Sequence, residues 1–159
     1  MGSAIDWSSV GSIATAVAVL LAAWQLHLGT IQARTEFEDE LAREYRELAR
    51  SIPPAVHLDR EVDGSDFDHV FPALIHSVDL SNEQVFLRMN GRVSKVTWLN
   101  WRDGIQSNLR REVFRRAWEE IKAASTSFAE LRRLEASGFS EDPWLWQPWP
   151  RRLWAALSA

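Results

Sequence analysis

VGSIATAVAVLLAAWQLHL, residues 10–28, lies within a run from Trp7 to Ala33 that contains no Asp, Glu, Lys or Arg. At about 1.5 Å per helical residue, Trp7 to Leu28 covers roughly 33 Å, against a hydrocarbon core of about 30 Å. The block reads as a single membrane crossing. A buried core helix is the first competing reading, but such a helix in so small a domain is rarely apolar around its whole circumference for five turns. A cleaved signal peptide is the second. It wants a basic leading region, whereas Asp6 is the sole charge before Arg34. Ala16-Val17-Ala18 imitates a cleavage site with too little apolar sequence ahead of it.

The flanks suggest an orientation. Arg34, Arg43, Arg46 and Arg50 follow the block and no basic side chain precedes it, so the N-terminus is expected outside and the bulk of the chain in the cytoplasm. Glu36, Glu38, Asp39 and Glu40 crowd the same flank but count little in that rule. Trp7 and Trp24, about 26 Å apart on a helix, suit the two headgroup layers. The block is only marginally apolar. Its eight Val, Ile and Leu residues between Val10 and Leu28 contribute roughly −3 kcal/mol on the insertion scale, from which Ser12, Thr15, Gln25 and His27 subtract. Such a helix gains from partners, and Ala14, Ala18 and Ala22 repeat at the small-xxx-small spacing that lets helices approach closely. Alanine is common here, so this ridge has a compositional explanation as well.

Beyond the block the pattern remains helical. RTEFEDELAREYRELARSI, residues 34–52, sets Phe37, Leu41, Tyr45, Leu48 and Ile52 as a narrow apolar stripe on a charged helix, ended by Pro53 and Pro54. With no Pro between block and stripe, one long helix is expected. Its stripe either packs on the following domain or forms a short coiled coil with a second copy. HLDREVDGSD, residues 57–66, reads as a loop. Periodicity resumes from Phe67 to Met89, with Ser65 or Asp66 as expected N-cap, Pro72 tolerated near the start and Asn90-Gly91 as the end. Ser94 is expected to cap a helix carrying Trp98, Trp101, Ile105 and Leu109. After a break near residues 107–111, Phe114, Ala117, Trp118, Ile121, Ser125, Phe128, Leu131 and Leu134 form one amphipathic stripe ending at Gly138. No alternating β pattern and no internal repeat occurs.

FSEDPWLWQPWPRRLWAALSA, residues 139–159, changes character: Pro143, Pro148 and Pro150 forbid a long helix, and four of the nine tryptophans gather here. The indoles with Arg151 and Arg152 suit a lipid headgroup layer, a wrap over the bundle or a docking peptide. The expected fold class is all-α, an N-terminal transmembrane helix continuing into a small bundle with a Trp/Pro-rich tail. The expected segments are 1–33 for the anchor, 34–54 for a juxtamembrane helix, 55–138 for the bundle and 139–159 for the tail.

LSNEQVFLRMNGRVSKVTWLNWRDGI, residues 80–105, followed by VFRRAWEEIKAASTSFAEL, residues 113–131, carries a loose pattern. An acidic residue precedes an apolar or aromatic position, then come a Gly turn, a Trp-rich helix and a Phe with Trp four residues on. Glu83, Phe86, Gly91, Trp98, Trp101, Phe114 and Trp118 fill those positions. In this the chain resembles uncharacterised small bacterial single-pass membrane proteins with a cytoplasmic all-helical domain. The resemblance spans roughly residues 5–135, excludes the tail and implies architecture without an activity.

Chemistry is sparse. The chain has no cysteine, which removes disulfides and thiolate sites, and a formal net charge of −4, which argues against general nucleic-acid binding. The charge is uneven: Ala55–Val93 holds seven acids against three Arg, and Ser94–Gly138 nine basic residues against six acids. His69 and His76 are seven residues apart, about 10 Å on a helix and too far to share a metal. His76, Asp79 and Glu83 share a face that a solvated surface explains equally well. No phosphate loop, HExxH or GxSxG is present. No catalytic, cofactor or metal residues are assigned and no enzyme is expected. Glu83 is either exposed or paired with Arg102, Arg115 or Arg116. The Arg cluster of Arg110, Arg111, Arg115 and Arg116 has three readings: lipid phosphate contact, pairing with the acidic stretch, or a solvated face.

The expectation is therefore a membrane-anchored adaptor or assembly subunit in the cell inner membrane. Ala14, Ala18, Ala22, Phe37, Leu41, Tyr45 and Leu48 form its association face. Arg110, Arg111, Arg115, Arg116, Arg151 and Arg152 are candidate headgroup contacts. The bilayer and a second copy or another membrane protein are the expected partners, with no nucleic acid. A small oligomeric channel and an accessory subunit of a larger membrane complex are the alternatives. A channel would need the Ser8, Ser12, Thr15 face to continue polar, whereas it reaches Val19 and Ala22.

Overall fold

The computed structural model describes residues 7–60 and 62–152, with the side chains of residues 7–14 and 16 outside the description. The described residues are all-helical, without strands. Helix α1 runs unbroken over Trp7–Ser51, 45 residues, about 67 Å at the helical rise. Its end is closed by His57, whose Nε2 lies 2.9 Å from the Ala49 carbonyl. Pro53 and Pro54 stop α1, but Pro54 also opens a short turn, α2 (Pro54–His57), which overlaps the expected loop only at His57. Proline suits a first helical position because the N–H it lacks would have no partner there.

Helix α3 spans Gly64–Met89. Its N-cap is Asp63 rather than Ser65 or Asp66: the Asp63 carboxylate accepts from Asp66 N–H at 2.9 Å and from the Ser65 hydroxyl, so the helix starts earlier than expected, by less than a turn. Gly91, at φ +72°, takes the chain out of α3. Ser94 then caps α4 (Lys95–Arg110), accepting from Thr97 N–H at 3.1 Å.

The expected single stripe from Phe114 to Leu134 is broken into α5 (Glu112–Ala124) and α6 (Ala129–Ala136), with Phe128 at φ 65°. Arg132 explains the break. Its guanidinium donates to the carbonyls of Lys122, Ser125 and Ser127, satisfying acceptors that a continuing helix would have used. Folding back brings Phe128 edge-on to Trp118 at 6.3 Å, where ten residues of unbroken helix would separate them by about 15 Å.

The core has two main parts. Phe67, Val70, Leu74, Phe114 and Ala117 join α3 to α5 with Ile52 and Val56. Val78, Val85, Trp98, Trp118, Leu131 and Leu134 bind α3, α4, α5 and α6. Trp98, Phe114 and Trp118 are each 1 % exposed, whereas Trp101 and Phe128, expected beside them, are half-buried at the periphery.

The 34–52 stripe splits between water and the domain. Leu41 is buried with Leu87 and Val93, Phe37 packs on that cluster, and Tyr45 stays exposed. Residues 17–33, by contrast, are exposed without exception. Among the described residues no helix is long and apolar enough to cross a membrane.

Candidate functional site at the α3–α4 turn

The short turn Asn90–Ser94 is where three distant parts of the chain meet. From α1, the Glu38 carboxylate accepts from Ser94 N–H at 2.6 Å and from the Thr97 and Ser94 hydroxyls, adding an anionic cap to the start of α4. Arg34, one turn back on α1, has its Nε 3.5 Å from Glu38 Oε1. That separation satisfies an ion pair but leaves Arg34 Nε without a hydrogen bond. Arg92 reaches the other way and lays its guanidinium 5.1 Å over the Phe37 ring.

From α3 comes a buried charge. Arg88 Nη1 donates to the Val93 carbonyl at 2.9 Å, holding the turn, while Nε and Nη2 grip Asp142 at 2.8 and 2.7 Å. Burial pushes the Asp142 carboxyl up; the Arg88 guanidinium, the Trp144 N–H and the charges of Arg88 and Lys95 outweigh it and hold the group below the ordinary carboxylate value.

The tail follows from that grip. Asp142 caps a 3₁₀ turn, Pro143–Trp146, whose Pro143 is buried. The Trp144 ring covers Gly91 so closely that a methyl group there would collide with it. Trp146 packs against the second core cluster and donates from Nε1 to Glu141 at 2.7 Å, with Arg133 4.3 Å above its ring. Residues 142–146 are thus wrapped on the bundle, while Trp149 is 65 % exposed. Trp154 lies outside the described residues.

Beside this turn, a groove of about 760 Å³ runs between Thr30–Glu38 of α1 and Gly91–Ser94. A second, acidic groove is lined by Glu44, Glu47, His76, Asp79 and Glu83. Among the described residues no three His, Cys, Asp or Glu side chains are grouped to hold a metal ion. Glu83 is exposed, and Arg102 pairs with Asp103 at 2.9 Å instead.

Three of the candidate headgroup arginines have side-chain partners within the chain. Arg110 is exposed, Arg111 donates to Asn108 at 2.8 Å, Arg115 forks onto Glu112, and Arg116 pairs with Glu120 while lying 3.7 Å over the Phe67 ring. Glu112 N–H donates to Asp59, so this group sits at the end of the bundle where α1 stops, some 20 Å along α1 from Glu38. Arg151 is exposed and Arg152 half-buried, its Nε without a partner. On the association face, Ala18, Ala22 and Tyr45 are exposed, Leu48 and Phe37 half-buried and Leu41 buried; the Ala14 side chain, like that of Trp7, lies outside the described residues.

Arg88, Asp142, Glu38, Arg92 and Gly91 escaped the sequence reading as a set. Arg88 carried a signal, being a lone charge in the apolar run Val85-Phe86-Leu87-Arg88-Met89, which demands a carboxylate. Asp142 before Pro143 is a cap signature. Nothing local separates Glu38 from Glu36 or Glu40. Compared with known proteins, the chain matches no protein family, no curated protein and no solved structure.

Proposed function

We propose that the chain is a non-enzymatic, single-pass membrane-anchored adaptor or assembly subunit, N-terminus outside and bundle in the cytoplasm. The observation that carries this reading is the exposure of the apolar half of α1. Val17, Val19, Leu20, Leu21, Trp24, Leu26, Leu28 and Ile31 are between 43 and 74 % exposed. Leu26 and Leu28 point to nearly opposite sides of the helix, so no single face of the bundle covers them all. Apolar surface of that extent marks a membrane or protein contact. With the side chains before Thr15 outside the description, the span is argued from the sequence block 7–28 and from this exposure together. Exposed Ala18 and Ala22 are available for helix pairing inside the bilayer; Leu41 is already used within the domain.

Carbonate extraction of membranes tests the reading. The full chain is expected in the pellet, and Leu20→Arg, which adds about 3 kcal/mol at mid-bilayer, is expected in the supernatant with its bundle folded. In the same membranes Ala18→Leu is expected to lower crosslinked multimers. Recovery of the full chain without detergent refutes the anchor.

A further inference from the structure

The groove between α1 and the α3–α4 turn joins basic and apolar side chains beside the exposed apolar run of α1. It begins directly after the exposed apolar run, with Thr30, Ile31 and Ala33, and continues through Arg34 and Phe37 to Arg92 across the gap. Its charge is positive. The single carboxylate lining it, Glu38, is occupied by Ser94 N–H and two hydroxyls, and lies 3.5 Å from the Arg34 Nε. Arg92 has no carboxylate within ion-pair reach among the described residues, its guanidinium resting on the Phe37 ring. The Arg34 Nε is shielded from water and hydrogen-bonded to nothing.

Depth agrees with charge. Arg34 stands six residues beyond Leu28, about 9 Å along the helix. With Leu28 at the hydrocarbon edge, that height lies just beneath a headgroup layer of roughly 5 to 8 Å per leaflet, close enough for a long Arg side chain to reach it. Ile31, about 4.5 Å beyond Leu28, supplies an apolar wall at the level of a lipid's glycerol, and the two guanidinium groups provide donors for phosphate oxygens.

We infer that this groove binds the phosphate of an anionic phospholipid in the leaflet on the bundle's side, held by Arg34 and Arg92. The inference rests on the membrane-anchor reading above and assigns it a lipid preference. It also places lipid recognition at the α3–α4 turn rather than at Arg110–Arg116, which lie at the other end of the bundle.

The test reconstitutes the full chain into phosphatidylcholine vesicles and into vesicles with a minority of phosphatidylglycerol, then counts bound lipids by native mass spectrometry. Phosphatidylglycerol is expected to be retained preferentially, and Arg34→Gln and Arg92→Gln are each expected to reduce that preference about fivefold. Arg34→Lys with Arg92→Lys should keep most of it, and Arg115→Gln with Arg116→Gln should leave it unchanged. Far-UV circular dichroism checks that each variant is folded. Flotation with both vesicle types but no lipid preference, or a preference untouched by the Arg34 and Arg92 changes, overturns the groove and leaves the anchor standing. Failure to float with either vesicle overturns both. Excess inorganic phosphate at matched ionic strength should not displace the lipid; loss of the preference would identify a free-phosphate site instead.

Discussion

Residues 17–33 and 34–51 belong to one continuous helix, yet the apolar half is exposed along its whole length and the charged half is the one docked on the domain. Burial of apolar surface is the main driving force for packing in water, so the exposed half is the one that would gain more from a contact. The docked half is held by few groups: Leu41 and Phe37 against Leu87 and Val93, and Glu38 at the cap of α4. The comparison teaches that contact with the bundle follows position along the helix, not hydrophobicity. The apolar half extends past the bundle's end, and the anchor proposal supplies a different solvent for it.

The strongest way to break the comparison is to destroy the bundle alone. Trp118→Ala removes a side chain that is 1 % exposed and should cost about 3–5 kcal/mol. The expected result is a large loss of cooperative melting in calorimetry, with membrane retention through residues 7–33 unaltered. An unchanged melting temperature would refute the core described for α3–α6.

A smaller effect is expected where the docked half of α1 meets α4. Glu38→Ala leaves Ser94 N–H and Thr97 without their acceptor and should cost about 1–2 kcal/mol. Hydrogen exchange at Ser94–Thr97 should accelerate. Glu40→Ala is the control: its pair with Arg43 is mostly solvated, worth about 0.5 kcal/mol or less. Equal effects from the two variants would mean that Glu38 does not dock α1.

The smallest effect concerns the tail. The Asp142 carboxyl is held below its ordinary value of 3.8 when folded, so its stabilising contribution is complete above that value and is lost as pH falls through the lower, folded one. The Trp144 N–H, which donates to Asp142, should therefore leave its folded NMR position only below about pH 4, and Asp142→Asn should remove that dependence. A shift that begins near neutral pH would point to a different latch.

Much of the local architecture was legible because its signals are local. Pro53 ends α1, Asn90-Gly91 ends α3 and Ser94 caps α4, each through groups within four residues of one another. The apolar periodicity that marks an all-helical chain is likewise an i, i+3, i+4 property. The break at Ser125 was not legible, since it depends on Arg132 capturing carbonyls and on Phe128 finding Trp118. Nor was the candidate site. Arg88 and Asp142 are 54 residues apart and Glu38 and Ser94 are 56 apart. Sequence by itself determined which segments are helical and which stretch is apolar and free of charge, because those follow from neighbouring residues. Only the tertiary structure decided which acid meets which base, which half of α1 is docked and which arginines stand beside its apolar run. Those choices follow from the path of the whole chain, which brings together groups that no local spacing relates.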